Sequence, residues 1–306
     1  MRRAVIDIGT NTVKLLVADV QQGQVVPFLS KDRTTRLGEG VNESGQLLPA
    51  AITRTIQAIH EFQAEAQACG AVDVLALTTS ASRDTANRNE FFAGVRRTCG
   101  LEVKLISGDQ EAELIFRGVS SDPEWSGAPI LVMDVGGGSA EFIQGREGTM
   151  EVFQSLPLGA LRLTERFGEG RFAELCDDLR ATLRHVLARY ESRGRRMIGT
   201  GGTITTLGKI CRAAAPAAVV PSRQAERLPY NSVDHLPLSR GYLKSLVDQL
   251  RVMPLVERKK VPGLPPERAD IIVAGGAVFL IAMELLDVHE LTVSVRNLRY
   301  GALLSA

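Results

Sequence analysis

One short pattern occurs twice in this sequence: an apolar segment that ends in aspartate, then a glycine turn, then two further strand-like segments. The first copy is centred on Asp7, and the second on Asp134 and the run Gly136–Gly138. A chain with two such copies is expected to form two α/β halves, each with its own sheet. We therefore predict an α/β fold with an N-terminal domain over residues 1–122 and a C-terminal domain over residues 123–306, whose last helix is a candidate to pack back on the first domain.

Apolar periodicity predicts the elements of each half. The first half opens with three strands and then alternates helices with strands, beginning with an amphipathic helix over Leu48–Gln67. In the second half we expect helices over Leu175–Glu191, Leu238–Arg251, Arg268–Leu286 and Asn297–Leu304. The Ala- and Pro-rich segment Arg212–Pro237 is predicted to be either a surface connection or part of a rim or gate.

Charge and composition exclude several classes of protein. Lys plus Arg number 36 and Asp plus Glu number 35, so the chain is close to neutral. A neutral chain lacks the uniformly basic surface of a nucleic-acid or membrane-surface binder, so we expect neither DNA nor a membrane as a partner. The four cysteines lie far apart, and no segment reaches the roughly 20 apolar residues that span a bilayer. We expect a soluble cytoplasmic protein with reduced thiols.

The two aspartate–glycine turns are the first candidates for chemistry. In such turns, backbone N–H groups and short polar side chains can surround a phosphate. Either turn by itself could be an ordinary hairpin turn, but two of them facing each other across a cleft would form a phosphate clamp. The two turns are Asp7-Ile8-Gly9-Thr10-Asn11-Thr12 and Asp134-Val135-Gly136-Gly137-Gly138-Ser139-Ala140-Glu141.

Four other segments carry candidate functional residues, each with a structural alternative. The glycine loop Gly199–Thr203 could bind an anion at a helix N-terminus or could only turn the chain. Arg83 follows a buried strand, where it could bind a phosphate or lie on the surface. Glu111 falls in the first turn of a helix, as a general base or as a complement to the helix dipole. Near the C-terminus, Arg296 and Arg299 could bind phosphate or bridge the domains.

Taken in order, these motifs resemble the exopolyphosphatase/guanosine pentaphosphate phosphohydrolase (Ppx/GppA) family over essentially the whole chain. That family lies in the superfamily of actin-like proteins, sugar kinases and Hsp70-type ATPases. The resemblance implies two RNase H-like domains with an active site in the cleft between them. It also implies Mg²⁺-dependent, or other divalent-cation-dependent, removal of the terminal phosphate from inorganic polyphosphate, pppGpp or both. Members often form homodimers. The motifs are the two turns above, Ser80-Ala81-x-Arg83, Ile106-Ser107-Gly108-x-x-Glu111-Ala112, Gly199-Thr200-x-Gly202-Thr203, Glu267-Arg268-Ala269-Asp270 and Leu298-Arg299-x-Gly301.

The resemblance also implies roles for individual residues. The catalytic glutamate falls on Glu111, as general base for the attacking water. The acids associated with the metal fall on Asp134, Asp7 and Glu141. The phosphate contacts, completed by the remaining polar or glycine positions of the same turns, are Asn11, Thr12, Arg83, Gly136, Gly137, Gly138, Ser139 and Thr203. This chain departs from many family members at four positions. Those members have arginine in place of Lys14, glutamate in place of Gln110, serine in place of Gly201 and glycine in place of Asn297.

Two other functions are compatible with the same motifs. One is a small-molecule kinase of the superfamily, and the other is a non-catalytic alarmone or polyphosphate sensor. The near-neutral charge favours a short or narrowly gripped phosphate substrate, since the basic clusters Arg193–Arg196 and Arg258–Lys260 are the remaining candidates for a track along a long polymer.

Overall fold

The structure is a computed structural model that describes residues 1–214 and 233–305. Its contacts divide the chain into two compact units. The first unit comprises residues 1–124, 136–139 and 296–306, and the second comprises residues 125–135 and 140–295. Most of the predicted rim or gate segment, residues 215–232, lies outside the described residues.

Strands and helices alternate much as the periodicity predicts. The strands are β1 (Arg2–Ile8), β2 (Thr12–Gln21), β3 (Gln24–Thr34), β4 (Val74–Thr78), β5 (Val103–Leu105), β6 (Ile130–Val135), β7 (Ala140–Arg146), β8 (Thr149–Leu156), β9 (Arg196–Thr200), β10 (Pro237–Ser239) and β11 (Glu290–Val293). The helices are α1 (Val41–Ser44), α2 (Pro49–Ala68), α3 (Ser80–Arg83), α4 (Arg88–Cys99), α5 (Gly108–Ser120), α6 (Ala160–Phe167), α7 (Phe172–Leu187), α8 (Gly201–Ala214), α9 (Arg240–Val252), α10 (Leu255–Arg258), α11 (Ile272–Leu285) and α12 (Leu298–Ser305).

A five-stranded mixed sheet forms the first unit, in the order β3-β2-β1-β4-β5. Strands β1 to β3 are antiparallel, and β4 and β5 run parallel to β1. The carboxyl ends of β1, β4 and β5 therefore lie at one edge of the sheet, the edge at which open α/β sheets bind ligands. Helices α2 and α4 pack on a core that includes Ile6, Leu15, Phe62 and Phe91, and α12 packs against α5.

The second unit repeats this strand order. Its six-stranded sheet has the order β10-β11-β9-β6-β7-β8. Strands β6 to β8 are antiparallel, β9 runs parallel to β6, and β11 runs parallel to β9. Helix α11 packs against α7 and α9, and its Phe279 is completely buried. Both sheets thus join an antiparallel trio to parallel strands.

Three predicted helix starts are wrong. Helix α7 begins at Phe172 rather than at Leu175. Leu238 belongs to β10, which pairs with β11, and α9 begins only at Arg240, where the Ser239 hydroxyl accepts the N–H of Tyr242 at 3.2 Å. A capping serine marks this start better than the apolar residue before it. Arg268 lies in a short 3₁₀ turn, and α11 begins only at Ile272.

All four cysteines are free thiols. Within the part of the chain that the structure describes, no helix combines the length and the apolar character needed to cross a lipid bilayer.

Candidate active site

Glu111 and Arg83, which are 28 positions apart in sequence, form an ion pair in the first unit. Glu111 lies in the first turn of α5 and is 7% exposed. Its Oε2 accepts a hydrogen bond from Nη1 of Arg83 at 2.9 Å, and the same Nη1 donates to the carbonyl of Ile106 at 3.0 Å. A guanidinium carries five N–H donors, and among the described residues only Nη1 has a protein partner, which leaves the Nε and Nη2 groups for an anion. The carboxylate is therefore held at a fixed place beside a cation that can also bind phosphate.

Helix α5 begins at this site because its N-terminus is capped. The Ser107 hydroxyl accepts the N–H of Gln110 at 3.2 Å, and the Gln110 side chain accepts the N–H of Ser107 at 3.0 Å. This reciprocal arrangement is a capping box. The side chain of Gln110 thus folds back on the cap. It serves the helix start, while the neighbouring Glu111 is the buried carboxylate.

The turn between β1 and β2 brings short polar side chains to the end of the sheet. Asn11 and Thr12 are both buried, and Nδ2 of Asn11 donates to the Thr12 hydroxyl at 3.2 Å. The Oδ1 atom of Asn11 has no hydrogen-bond partner among the described residues. A buried polar atom without a partner is costly, so it indicates a place for a ligand. The Thr12 hydroxyl can donate as well as accept. If the Asn11 amide is rotated by 180°, its Oδ1 accepts from this hydroxyl and its NH₂ group faces an anion.

The glycine turn Gly136–Ser139 packs directly on the β1–β2 turn, within the first unit. A Cβ placed at Gly137 would lie 2.9 Å from the Asn11 Cβ. One placed at Gly138 would overlap the Thr10 hydroxyl and would lie 2.6 Å from the Ser80 hydroxyl. Glycine permits this close approach, so Gly136–Ser139 and the β1–β2 turn are in direct contact in this unit.

Asp7 lies near the end of β1, in register with Lys14 on β2. Burial raises the pKa of the Asp7 carboxyl, while the positive charges of Lys14 and Arg299 act to lower it. Asp7 can bind a further cation only when its carboxyl group is ionised. Burial opposes that ionisation, and the two nearby positive charges favour it. Its assignment as a metal-associated acid stays a prediction.

The second unit carries the other two predicted acids on neighbouring strands. Asp134 on β6 lies directly opposite Glu141 on β7, so the two side chains share one face of the sheet. Glu141 is 1% exposed, and its Oε1 accepts a hydrogen bond from the Ser155 hydroxyl at 2.8 Å. Serine thereby orients one carboxylate of the pair.

The Gly201–Gly202 step at the start of α8 is occupied by side chains of the protein itself. Gly201 has φ +84°, and a Cβ there would overlap the carboxylate of Asp134. A Cβ on Gly202 would meet the guanidinium of Arg268. The hydroxyl of Thr203 donates to the carbonyl of Val135 at 2.8 Å. The anion closest to this helix start is therefore Asp134, and the hydroxyl proton of Thr203 is already used within the protein.

The C-terminal arginines and the basic clusters have structural partners. Arg296 bonds Asp122 at 3.2 Å, and the fully buried Arg299 donates to the carbonyl of Leu15 at 2.9 Å. In the clusters that were candidates for a polymer track, Arg195 pairs with Glu151 at 2.7 Å and the buried Arg258 pairs with Glu169 at 2.8 Å. The charges of Arg195 and Arg258 are thus compensated within the protein.

Comparison with known proteins agrees with the family resemblance of the sequence motifs. A sequence profile of the Ppx/GppA phosphatase family matches residues 16–306. Exopolyphosphatase 1 of Mycobacterium tuberculosis is 32% identical over 313 residues, which cover 99% of this chain and 88% of that protein.

Solved structures agree. An exopolyphosphatase from Cytophaga hutchinsonii superposes with a TM-score of 0.86 at 28% identity, covering 100% of this chain and 97% of that one. The Ppx/GppA family member of Aquifex aeolicus gives 0.78 at 30% identity, with the same coverage. The expected two-domain, actin-like α/β fold is confirmed. The chain belongs to the Ppx/GppA phosphatase family.

Proposed function

We propose that this protein is an exopolyphosphatase that hydrolyses the terminal phosphoanhydride bond of inorganic polyphosphate with a divalent cation, Mg²⁺ in the first instance. The terminal phosphate of pppGpp is the second candidate substrate, because it is attached through the same kind of bond. One observation carries the proposal: the buried carboxylate of Glu111 is held by Arg83 at 2.9 Å, in a unit that also contains the β1–β2 turn and the glycine turn Gly136–Ser139. The exopolyphosphatase relative at 32% identity supports the same substrate class.

In this mechanism Glu111 orients the attacking water and accepts its proton. Phosphoryl transfer needs in-line placement of the nucleophile and compensation of charge, and it needs little covalent assistance. The hydrogen bond from Arg83 fixes the carboxylate, so that the orientation of the water is set before substrate arrives. If Glu111 had only the structural role of complementing the helix dipole, its burial to 7% exposure would not be needed.

The terminal phosphate is bound by donors from three segments of the first unit. Arg83 contributes the guanidinium N–H groups that are not used by Glu111 and Ile106. Asn11 contributes an N–H of its side-chain amide, which carries two N–H donors. The backbone of Gly136–Ser139 contributes N–H groups beside it. Thr12 orients the Asn11 amide through the 3.2 Å hydrogen bond.

The acids of the chain fit a hard divalent cation. Carboxylate oxygens are the ligands that Mg²⁺ prefers, and Asp134 and Glu141 provide two of them on one face of the second sheet. Asp7 is a further candidate in the first unit. When bound, the cation supplies positive charge that offsets the charge of the phosphoryl oxygens. Ser155 keeps one oxygen of Glu141 in place by donating to it at 2.8 Å.

A side-by-side assay of phosphate release tests this function. Long polyphosphate, tripolyphosphate, pppGpp and ATP are each incubated with the protein and Mg²⁺, without any acceptor, and again with excess EDTA. We expect release from polyphosphate that EDTA abolishes and added Mg²⁺ restores.

Other outcomes identify the alternatives. Phosphate transfer from ATP that requires an added small-molecule acceptor would identify a kinase. Tight binding of pppGpp without hydrolysis under Mg²⁺ would identify a sensor. Release from pppGpp but not from polyphosphate would retain the hydrolase and change its substrate.

A further inference from the structure

Asn87 lies immediately before α4, at the position where an asparagine side chain usually caps a helix. Among the residues that the structure describes, it makes no side-chain cap hydrogen bond. Its amide instead pairs with the backbone of Leu47: Oδ1 accepts the N–H at 2.8 Å, and Nδ2 donates to the carbonyl at 3.0 Å. Both polar groups of this side chain therefore bind a segment that lies 40 positions earlier in the sequence.

A backbone hydrogen bond reinforces this pairing. The N–H of Ala86 donates to the carbonyl of Gly45 at 3.0 Å, beside the contact between Asn87 and Leu47. Leu47 is 1% exposed and belongs to the apolar core of the first unit. The segment that follows Arg83 is therefore attached to a point that the core holds in place. We call these hydrogen bonds of Ala86 and Asn87 the 86–87 tie.

The loop at the other end of the 86–87 tie also holds the β1–β2 turn. The N–H groups of Thr35 and Arg36 donate to the carbonyl of Asn11, at 3.1 and 3.0 Å. From α2, Nε of Arg54 donates to the carbonyl of Thr35 at 3.2 Å. Arg36 has a φ of +49°, in the left-handed region that arginine rarely adopts. Because the loop keeps this backbone, its hydrogen bonds outweigh the local steric cost, and the loop is a firm anchor.

Arg83 and Asn11 are the two side chains that the proposed function assigns to the terminal phosphate. Arg83 ends α3, which is a single helical turn and has few backbone hydrogen bonds of its own. Glu111 fixes the guanidinium at 2.9 Å, and the 86–87 tie fixes the backbone that follows. Because the same tie leads to the loop that bonds Asn11, it connects the supports of both phosphate-binding side chains.

We propose that Asn87 is a positioning residue, which sets the separation between the Arg83 guanidinium and the Asn11 amide and thereby the affinity for a terminal phosphate. This proposal rests on the proposed function and deepens it. Asn87 does not touch the substrate and acts through Arg83. The effect is measurable because a displacement on the order of 1 Å, even one that begins far from the reacting atoms, can cost about 10²-fold in rate.

Two substitutions that each remove a side chain-to-backbone link at α4 are compared. Asn87→Ala removes both side-chain hydrogen bonds of the 86–87 tie. Gln63→Ala is the matched control, because Nε2 of Gln63 donates to the carbonyl of Cys99 at 3.0 Å, at the other end of α4. Both variants are expected to lower Tm by about 2–6 °C. Only Asn87→Ala is expected to raise the Kd of tripolyphosphate, by roughly three- to thirtyfold, because part of one charge-assisted contact is lost.

A double-mutant cycle with Arg83→Ala distinguishes positioning from a general structural effect. Since Asn87 acts through Arg83, Asn87→Ala is expected to change Kd by less than about twofold once the guanidinium is absent. The full effect in that background would overturn the proposal, because Asn87 would then act independently of Arg83. If Asn87→Ala does not fold, Asn87→Ser takes its place in the cycle, since its hydroxyl can still donate or accept one hydrogen bond.

Binding of tripolyphosphate, measured by calorimetry in EDTA, separates the proposal from the function on which it rests. A wild type that binds but never releases phosphate would refute the exopolyphosphatase and leave the Asn87 comparison intact. Equal affinity of wild type and Asn87→Ala would overturn the role of Asn87, even if the enzyme is active. Failure of the wild type to bind, both in EDTA and with Mg²⁺, would refute both.

Discussion

Replacing Glu111 by glutamine separates catalysis from binding at this site. The substitution is nearly isosteric, and the glutamine oxygen can still accept the hydrogen bond that Arg83 donates at 2.9 Å. What the variant lacks is a carboxylate that can accept a proton from water. A positioned general base contributes roughly 10²–10⁴-fold to a rate, or about 2.7–5.5 kcal/mol of transition-state stabilisation. We expect kcat to fall by that factor.

The KM should change in a different way. In the wild type, part of the Arg83 charge is compensated by Glu111, whose side chain is only 9% exposed. A neutral glutamine leaves more of that charge for a phosphate. The expected KM is therefore unchanged or lower, although the same change weakens one charge-assisted hydrogen bond inside the protein and lowers stability by about 1–2 kcal/mol.

The assay is steady-state phosphate release from tripolyphosphate under Mg²⁺, with calorimetric binding in EDTA beside it. Glu113→Gln is the control, because Glu113 lies on the same helix with a side chain that is 58% exposed. Release by Glu111→Gln within tenfold of wild type would refute the assignment of the general base. An equal loss in the Glu113 variant would show that the effect comes from the helix.

Three other variants test the remaining parts of the site and fold. Arg83→Lys has one nitrogen in place of a guanidinium that bonds Glu111 and a backbone carbonyl and, in the proposed function, phosphate as well. We expect KM to rise at least tenfold and kcat to fall, and unchanged kinetics would remove Arg83 from the site. Gly138→Ala would force a methyl group into the Thr10 hydroxyl, and we expect a loss of about 1–3 kcal/mol in unfolding free energy with weaker tripolyphosphate binding; a variant of wild-type stability and affinity would contradict the close packing of the turns. Hydrogen bonding from Gln144, then the nearby charge and hydrogen bond of Arg195, lowers the pKa of Glu151 below 4.5. Because the folded state binds that proton more weakly than the unfolded chain, the stabilisation is present above about pH 4.5 and is lost as pH falls through the folded-state pKa. Denaturant unfolding of Glu151→Gln should therefore show a shallower loss of stability in acid, and an acid limb identical to wild type would exclude this contribution.

Much of the fold could be predicted because its signals are local. Strand periodicity, the two aspartate–glycine turns and the helix over residues 49–68 are written in neighbouring residues. The family motifs are local in the same sense. The start of α9 was missed because an apolar residue, Leu238, continued the helical pattern into a strand that only its pairing with β11 reveals.

The composition of the site could be predicted in part, and its contacts could not. Glu111 and Arg83 were each candidates, but their ion pair joins two segments that only the parallel packing of β4 and β5 brings together. Likewise, no sequence pattern shows that the carboxylate of Asp134 lies where a Cβ on residue 201 would be. Side chains distant in sequence meet only when the chain is packed, and the cost of burying charge then decides which of them pair.

The left-handed backbone of Arg36 is the clearest case of what tertiary structure decided. By itself the sequence determined a chain with two similar α/β halves, aspartate–glycine turns at the ends of strands, and the motifs of the family to which the chain belongs. It could not determine φ at a single arginine, because that angle is imposed by hydrogen bonds to Asn11 on one strand connection and by Arg54 on a helix. Local sequence sets which conformations are cheap, and only long-range contacts can hold a residue in one that is not.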